Sequence, residues 1–400
     1  MIVTVMEESH GVHAGSSRDG ASRTEDDAEI DRQLELFMSR RSEVVNNLHI
    51  LPTPSSAASD GPPNACNLHL IPMKDSKKLK SQVFGKSTLD IVKGMKQHVY
   101  DANGVQYLDC VNGTSHVGHC HPQVVAAGNR QMSRLVTSQG FTSDLLSRYV
   151  SALVDTVPEP LSVCYLTNSG SEANDLALRL AAAYNGNSDI VVVEDGYHGN
   201  ISSLIDASPK MHQRYNHVKK DHIHIARLPD MFRGKYRYDD EEAGIKFAKE
   251  VENKILQAEG KGRKIGGFLY EPMFTIPGVF IPPQSYYQHV FRFVLNSSSD
   301  LTHVKICVFR VVREHGGLVI ADEVQCGMGR AGDNMWGFQD FGLVPDIVTV
   351  GKGLGNGFPM GAVLCSKEVS DRLGGYFSTF GGNPVACATG MILSQYQENF

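Results

Sequence analysis

From about Lys93 onward, short apolar runs alternate with stretches in which hydrophobic residues recur every three or four positions. Runs of strand length interleaved with amphipathic helical segments predict an α/β fold, a mostly parallel sheet flanked by helices. Five runs read as strands: Ser162 to Thr167, Asp189 to Val193, Gly266 to Tyr270, Gly317 to Ala321 and Asp346 to Val350. Each ends beside polar or glycine residues. The spacing of Leu176, Ala177, Leu180 and Ala181 predicts a helix directly after the first strand. Open α/β sheets bind ligands outside the carboxyl ends of their strands, so these polar ends are expected to converge on one crevice.

The beginning of the chain is different. Residues 1–72 mix Ser, Asp, Glu, Gly and Pro, as in Thr53-Pro-Ser-Ser-Ala-Ala-Ser-Asp-Gly-Pro-Pro63, and carry too little apolar surface to offset the entropy of ordering. They are read as a disordered extension, with one short helix within Ile30 to Leu51 through Leu34, Phe37, Met38 and Val44. Glu25, Asp26, Asp27, Glu29 and Asp31 contradict an Arg-rich, acid-poor presequence, so no targeting signal is readable.

Composition narrows the class. With 41% apolar and 20% charged residues the chain reads as a globular protein. A net charge of -6, from 38 basic and 44 acidic residues, gives no general field for nucleic acid or an anionic membrane, so any anionic ligand must be held locally. No apolar run has bilayer length. Eight cysteines without a CxxC pair read as reduced, mostly buried thiols, which predicts an intracellular protein and no metal site.

Three segments carry candidate chemistry. Thr167-Asn-Ser169-Gly170-Ser171-Glu-Ala-Asn174 ends a strand and opens a helix. Such a junction offers unpaired N–H groups and a positive helix end to a phosphate, although a serine N-cap alone would give the same pattern. Ile320-Ala-Asp322-Glu-Val-Gln325 delivers a carboxylate to a strand end, where a protonated heterocyclic nitrogen would partner it. Asp346-Ile-Val-Thr-Val-Gly-Lys352-Gly-Leu-Gly-Asn-Gly-Phe-Pro sets one lysine among glycines. Desolvation would lower its proton affinity and make it a nucleophile toward an aldehyde, whereas in a solvated turn it would be an ordinary lysine. Gly351 to Gly357 opens no dinucleotide-binding βαβ unit, Gly85-Lys-Ser87 lacks the first glycine of a phosphate loop, and His119-Cys-His121 reads as a turn before Pro122 rather than a metal site.

Together these segments, with Gly196-Tyr197-His198-Gly199 between them, resemble the class III aminotransferases, a family of pyridoxal-phosphate enzymes, over residues 83 to 393. Tyr107-Leu-Asp-Cys, Val117-Gly-His-Cys-His-Pro, Leu161-Ser-Val-Cys-Tyr, Asp175-Leu-Ala-Leu-Arg-Leu and Phe232-Arg-Gly-Lys-Tyr-Arg237 look like the ethanolamine-phosphate and phosphohydroxylysine phospho-lyases. Gly351-Lys-Gly-Leu-Gly-Asn-Gly-Phe-Pro-Met is nearer alanine-glyoxylate aminotransferase. The resemblance implies a fold-type I architecture with a seven-stranded sheet and a small domain. It makes Lys352 the Schiff-base lysine, Asp322 the partner of the pyridine nitrogen, and Gln325 a contact on the ring-hydroxyl side. Ser169, Gly170 and Ser171 would hold the cofactor phosphate. Tyr197 and His198 would line the ring, Glu271 would lie near the Schiff base, and Thr379 would reach the phosphate site of a neighbouring subunit in a homodimer. It implies transamination of a small primary amine or amino acid, with phosphate elimination as the alternative; Arg233, Lys235 and Arg237 are then candidates for recognising a substrate phosphate. The mitochondrial matrix and the cytoplasm both remain open.

Two departures from the family pattern are visible. Residues 292–309 read as an insertion, since joining Phe291 to Arg310 restores the pattern. The chain also ends soon after Gly382-Asn-Pro384. The expected division is therefore 73–135 as the first part of a small domain, 136–385 as the cofactor-binding domain, and 386–400 as the start of a shortened carboxyl-terminal domain. A catalytically impaired polypeptide that still binds cofactor or dimerises is the third reading.

Overall fold

The computed structural model describes residues 89–215, 217–287 and 308–397, so the extension 1–72 and the helix expected within Ile30 to Leu51 lie outside the described residues. The first strands, β1 (Ile91–Met95), β2 (His98–Asp101) and β3 (Gln106–Leu108), form a small antiparallel sheet. The main sheet contains β4 (Leu161–Thr167), β5 (Asp189–Val193), β6 (Ile223–Ala226), β7 (Ile265–Tyr270), β8 (Leu318–Asp322), β9 (Ile347–Val350) and β10 (Gly361–Ser366). Its order is β4-β10-β9-β8-β7-β5-β6, and β10 alone runs antiparallel to its neighbours.

The five strands read from the sequence are present to within one residue at each end. Their alternation builds two cores, one on each face. Ile190 and Val192 of β5 pack with Ala173, Leu176, Ala177 and Leu180 of helix α3 (Gly170–Asn185). Val191 and Val193, one residue out of phase, pack with Phe247, Val251 and Ile255 of α4 (Ala243–Glu259). Strands buried on both faces are what a parallel sheet covered by helices requires.

Part of the stretch read as an insertion belongs to the core. Residues 292–307 lie outside the described residues, but Val308 and Phe309 open helix α5 (Val308–Glu314) and are buried. The Phe309 ring lies 5.3 Å from Tyr270 and 6.3 Å from Tyr287, centroid to centroid. The tripeptide Val-Phe-Arg occurs at 290–292 and again at 308–310, so removing 290–307 or 292–309 leaves the same sequence; Val308 and Phe309 of the second copy lie in the core.

Helix α6 (Pro384–Gln397) packs on α1 (Pro122–Met132) and α2 (Asp144–Val154). Gly390 makes the second contact close, because a Cβ there would lie 2.6 Å from the Tyr149 ring. Among the described residues no helix is long and apolar enough to cross a membrane. Of the described cysteines, Cys326, Cys365 and Cys387 are buried, Cys110 and Cys164 half-buried and Cys120 exposed, and all six are free.

Candidate active site

Parallel strands deliver their last residues to one edge of the sheet, and the candidate residues sit there. Asp322 ends β8, Lys352 follows β9, Ser169 follows β4, Tyr197 and His198 follow β5, and Glu271 follows β7. The paired register of Tyr270 with Ala321 and of Asp322 with Thr349 keeps these ends level.

Asp322 is 4% exposed and held by three donors. His198 Nδ1 lies 2.7 Å from its Oδ2, Asn174 Nδ2 donates to the same oxygen at 2.8 Å, and the Val324 N–H donates to Oδ1 at 3.1 Å. Asn174 is itself fixed: it accepts from Thr349 Oγ1 at 2.6 Å and donates to the His198 carbonyl at 2.8 Å. Several hydrogen bonds fix the orientation of a buried carboxylate. His198 is sealed in the interior, and its Nε2 has no hydrogen-bond partner among the described residues.

Lys352 begins a short 3-10 turn and is half-buried. Burial lowers its pKa below that of an ordinary lysine, and this outweighs the opposing pull of Asp322 and Glu271. Glu271 is 4% exposed and pushed up to about 7 by burial, although it accepts from the N–H groups of Tyr197 at 3.1 Å and Thr275 at 3.3 Å. Gly113 closes over the pair formed by Gln325 and Lys352; a Cβ on it would stand 3.3 Å from Gln325 Nε2 and 3.8 Å from Lys352 Cδ. Burial raises the pKa of Tyr197, whose phenol also feels Tyr215 and Asp322.

The turn after β4 opens helix α3. Ser169 is the N-cap of α3, its hydroxyl accepting from the Glu172 N–H at 3.2 Å. Gly170 and Ser171 open the helix, where no carbonyl lies one turn back to accept their N–H groups. Glycine is required at 170 because a Cβ would lie 2.6 Å from both methyls of Val324, and Gly351 approaches it from the next loop, where a Cβ would lie 3.0 Å from Gly170. Ser378 Oγ accepts from Asn168 Nδ2 at 3.2 Å, which sets the 378–381 turn beside this junction; Thr379 is exposed.

The three candidates for a substrate-phosphate pocket have local partners instead. Arg233 pairs with Asp230 at 3.2 Å, Lys235 with Glu250 at 3.1 Å, and Arg237 donates to the Phe232 carbonyl. Arg233 lines a cavity of about 340 Å³ with Phe232, Tyr238 and Ile281, and that cavity shares no lining residue with the site above. His119 bonds Asp109 at 2.6 Å and Ser115 at 3.2 Å, and among the described residues no group of three metal-ligating side chains occurs.

Sequence reading missed Asn174 as the residue that orients Asp322, Thr349 behind it, and the pair His116 and Arg330, whose Nη2 lies 3.1 Å from His116 Nδ1. Asn174 was visible as a lone amide on the apolar face of α3; the other three gave no local signal.

Residues 81–395 match the family described as aminotransferase class-III. Alanine--glyoxylate aminotransferase 2-like of Drosophila melanogaster is 40% identical over 316 residues, 77% of this chain and 60% of that protein. Ethanolamine-phosphate phospho-lyase homolog 1 of Caenorhabditis elegans is 38% identical over 331 residues, 79% of this chain and 67% of that protein. Among solved structures, a phospholyase from Arthrobacter in complex with phosphoethanolamine is 33% identical with a TM-score of 0.72, covering 82% of this chain and 74% of its own. The chain thus spans about three fifths of the length of the Drosophila relative.

Proposed function

The chain belongs to the class-III aminotransferases, and from that footing we propose that it binds pyridoxal phosphate at Lys352 and transfers the amino group of a small primary amine or amino acid. One observation carries the reading: a half-buried lysine with lowered proton affinity follows β9, beside the strand that ends in a carboxylate fixed by three hydrogen bonds.

The donor set suits that cofactor. Lys352 offers an amine of lowered proton affinity to an aldehyde, Asp322 a charge-assisted hydrogen bond to a protonated ring nitrogen, and Gly170 and Ser171 two main-chain N–H groups to a phosphate. When bound, the cofactor supplies an aldehyde that condenses with amines and a ring that withdraws electrons from the neighbouring carbon. The protein supplies position and proton movement. His198, Asn174 and Val324 fix the orientation of the Asp322 carboxylate, which would partner a protonated ring nitrogen. Lys352, whose proton affinity desolvation lowers, is the base that takes a proton from the amine-bearing carbon and the acid that returns it. Tyr197 covers the crevice from the β5 end, and Gln325 does so from the β8 end.

Phosphate elimination is the second reading, favoured by the phosphoethanolamine complex of the Arthrobacter phospholyase and by the Caenorhabditis relative. Proton removal by Lys352 is common to both reactions; the fate of a β-phosphate separates them. Holoprotein incubated with alanine plus glyoxylate, with phosphoethanolamine and with phosphohydroxylysine, with keto acid and inorganic phosphate measured together, tests the proposal. Keto acid from the first mixture supports transamination, and phosphate without an acceptor selects elimination. Neither product from cofactor-loaded protein refutes both.

The same proposal includes a homodimer in which Thr379 reaches the partner's phosphate site. It is supported by the exposure of Thr379 between two bare aromatic rings, Phe377 at 67% and Phe380 at 58%, a surface that water tolerates poorly.

A further inference from the structure

We infer that Arg330 and His116 form an anion subsite beside Lys352, which selects amines carrying a carboxylate or phosphate terminus. The inference rests on Lys352 being the reactive amine, as proposed above.

Arg330 follows two left-handed residues, Met328 with φ 67 and Gly329 with φ 77, that turn the chain tightly just before it. The Met328 side chain is 4% exposed, and its packing holds a backbone conformation that a non-glycine residue rarely adopts. Arg330 Nη2 donates to His116 Nδ1 at 3.1 Å. A guanidinium only donates, so this nitrogen of His116 is the acceptor and carries no proton. The Met328 backbone is a further hydrogen-bond partner of the ring. Burial, followed by the Arg330 charge, lowers the His116 pKa, in keeping with a neutral imidazole.

His116 therefore orients Arg330 without neutralising it. Among the described residues no carboxylate lies within ion-pair distance of Arg330, and the guanidinium has no other acceptor than His116. The contrast with Arg233, Arg263 and Arg313 is direct, since each of these pairs with an aspartate. Arg330 is half-buried, and desolvation lowers its pKa. A partly desolvated cation held in place with most of its donors unused is a site for an oxyanion.

The place of the pair says which molecule would carry the oxyanion. The His116 ring packs on Gly353, the residue after Lys352, so closely that a Cβ there would lie 3.1 Å from Nδ1. The Arg330 charge also reaches Lys352, adding to the lowering of its proton affinity. An anion bound here would belong to the molecule that reacts at Lys352. Carboxylate and phosphate both match the planar donor fork.

Isothermal titration of the holoprotein with propionate, ethyl phosphate and neutral propanol reads the subsite without turnover. Wild type should bind at least one anion, and the tighter of the two identifies the terminus. Arg330→Gln should weaken that anion by roughly 10- to 100-fold, with Arg330→Lys between the two. Spectral titration should show the same loss for 3-aminopropionate or phosphoethanolamine, whichever carries the favoured terminus, and none for propylamine. The subsite is refuted if wild type binds neither anion, or if Arg330→Gln leaves anion binding unchanged. Equal weakening of propylamine also refutes it, because Arg330 would then be a positioning residue. Borohydride trapping in the same preparation separates the two layers. Cofactor absent from Lys352 overturns the proposed function, whereas cofactor present with anion binding indifferent to Arg330 overturns the subsite alone.

Discussion

Replacing Gly170 by alanine inserts one methyl group where two elements already touch. The new Cβ would meet Val324 Cγ1 and Cγ2 at 2.6 Å and Val324 Cβ at 3.2 Å. Carbon atoms at rest lie about 3.5–4.0 Å apart, so the overlap is roughly 1 Å. Rotating Val324 does not relieve it, because both methyls and the branching carbon are too close and a β-branched side chain is stiff at χ1. On the other side stands Gly351, whose own Cβ position is 3.0 Å from Gly170. The start of α3 must therefore move, at about 1–3 kcal/mol for overpacking. If the strain falls on the N–H groups that hold the phosphate, the dissociation constant for pyridoxal phosphate rises by roughly 5- to 150-fold. Titration of cofactor-free protein by absorbance, with urea unfolding in parallel, measures both destinations. The double variant Gly170→Ala with Val324→Ala removes the opposing methyls and should recover most of the loss, as coupled neighbours do. An unchanged dissociation constant and unfolding midpoint in the single variant, or a double variant no better than the single, would refute the reasoning.

Three further outcomes are expected. Glu323 and Glu271 are both pushed up to about 7, mainly by burial, against an ordinary value of 4.5; the folded state then binds more protons than the unfolded one, so their contribution to stability is full below about 4.5 and is lost as pH rises to about 7. Urea unfolding of cofactor-free protein should show wild type losing stability relative to Glu323→Gln between pH 5 and pH 7 (~2 units of titration), and a constant difference would contradict it. Phe309→Ala should cost about 3–5 kcal/mol in the same assay, because the ring is 2% exposed and packs on Tyr270 and Tyr287; a loss under about 1 kcal/mol would remove it from the core. Thr379→Val should weaken cofactor binding while light scattering still reports twice the 43.8 kDa chain mass; a monomeric wild type would end the shared-site reading.

The sheet was legible where strands were long, apolar on both faces and bounded by glycine or polar residues. Asp189 to Val193 is the clearest case, with every residue buried. β6 is a four-residue edge strand interrupted by His224, too short for any period to register. β10 follows directly on the glycine-rich segment around Lys352, and the local pattern carries no information on strand direction, so its antiparallel place between β4 and β9 was hidden. The site was legible as residue types at strand ends, because sheet topology brings such ends together whatever lies between them. What fixes Asp322 was not: His198 and Asn174 come from positions 124 and 148 residues away, and only the folded chain sets their distances. Arg330 and His116, 214 residues apart, were hidden for the same reason. Arg233, Lys235 and Arg237 form a basic cluster in sequence whose partners, nearby carboxylates and a carbonyl, only the folded chain shows.

The central claim is that one desolvated lysine carries the cofactor. Borohydride reduction of protein loaded with pyridoxal phosphate, followed by peptide mass analysis, should place the phosphopyridoxyl group on Lys352, and Lys352→Ala should abolish the adduct. An adduct on another lysine, or labelling that survives Lys352→Ala undiminished, would contradict the account.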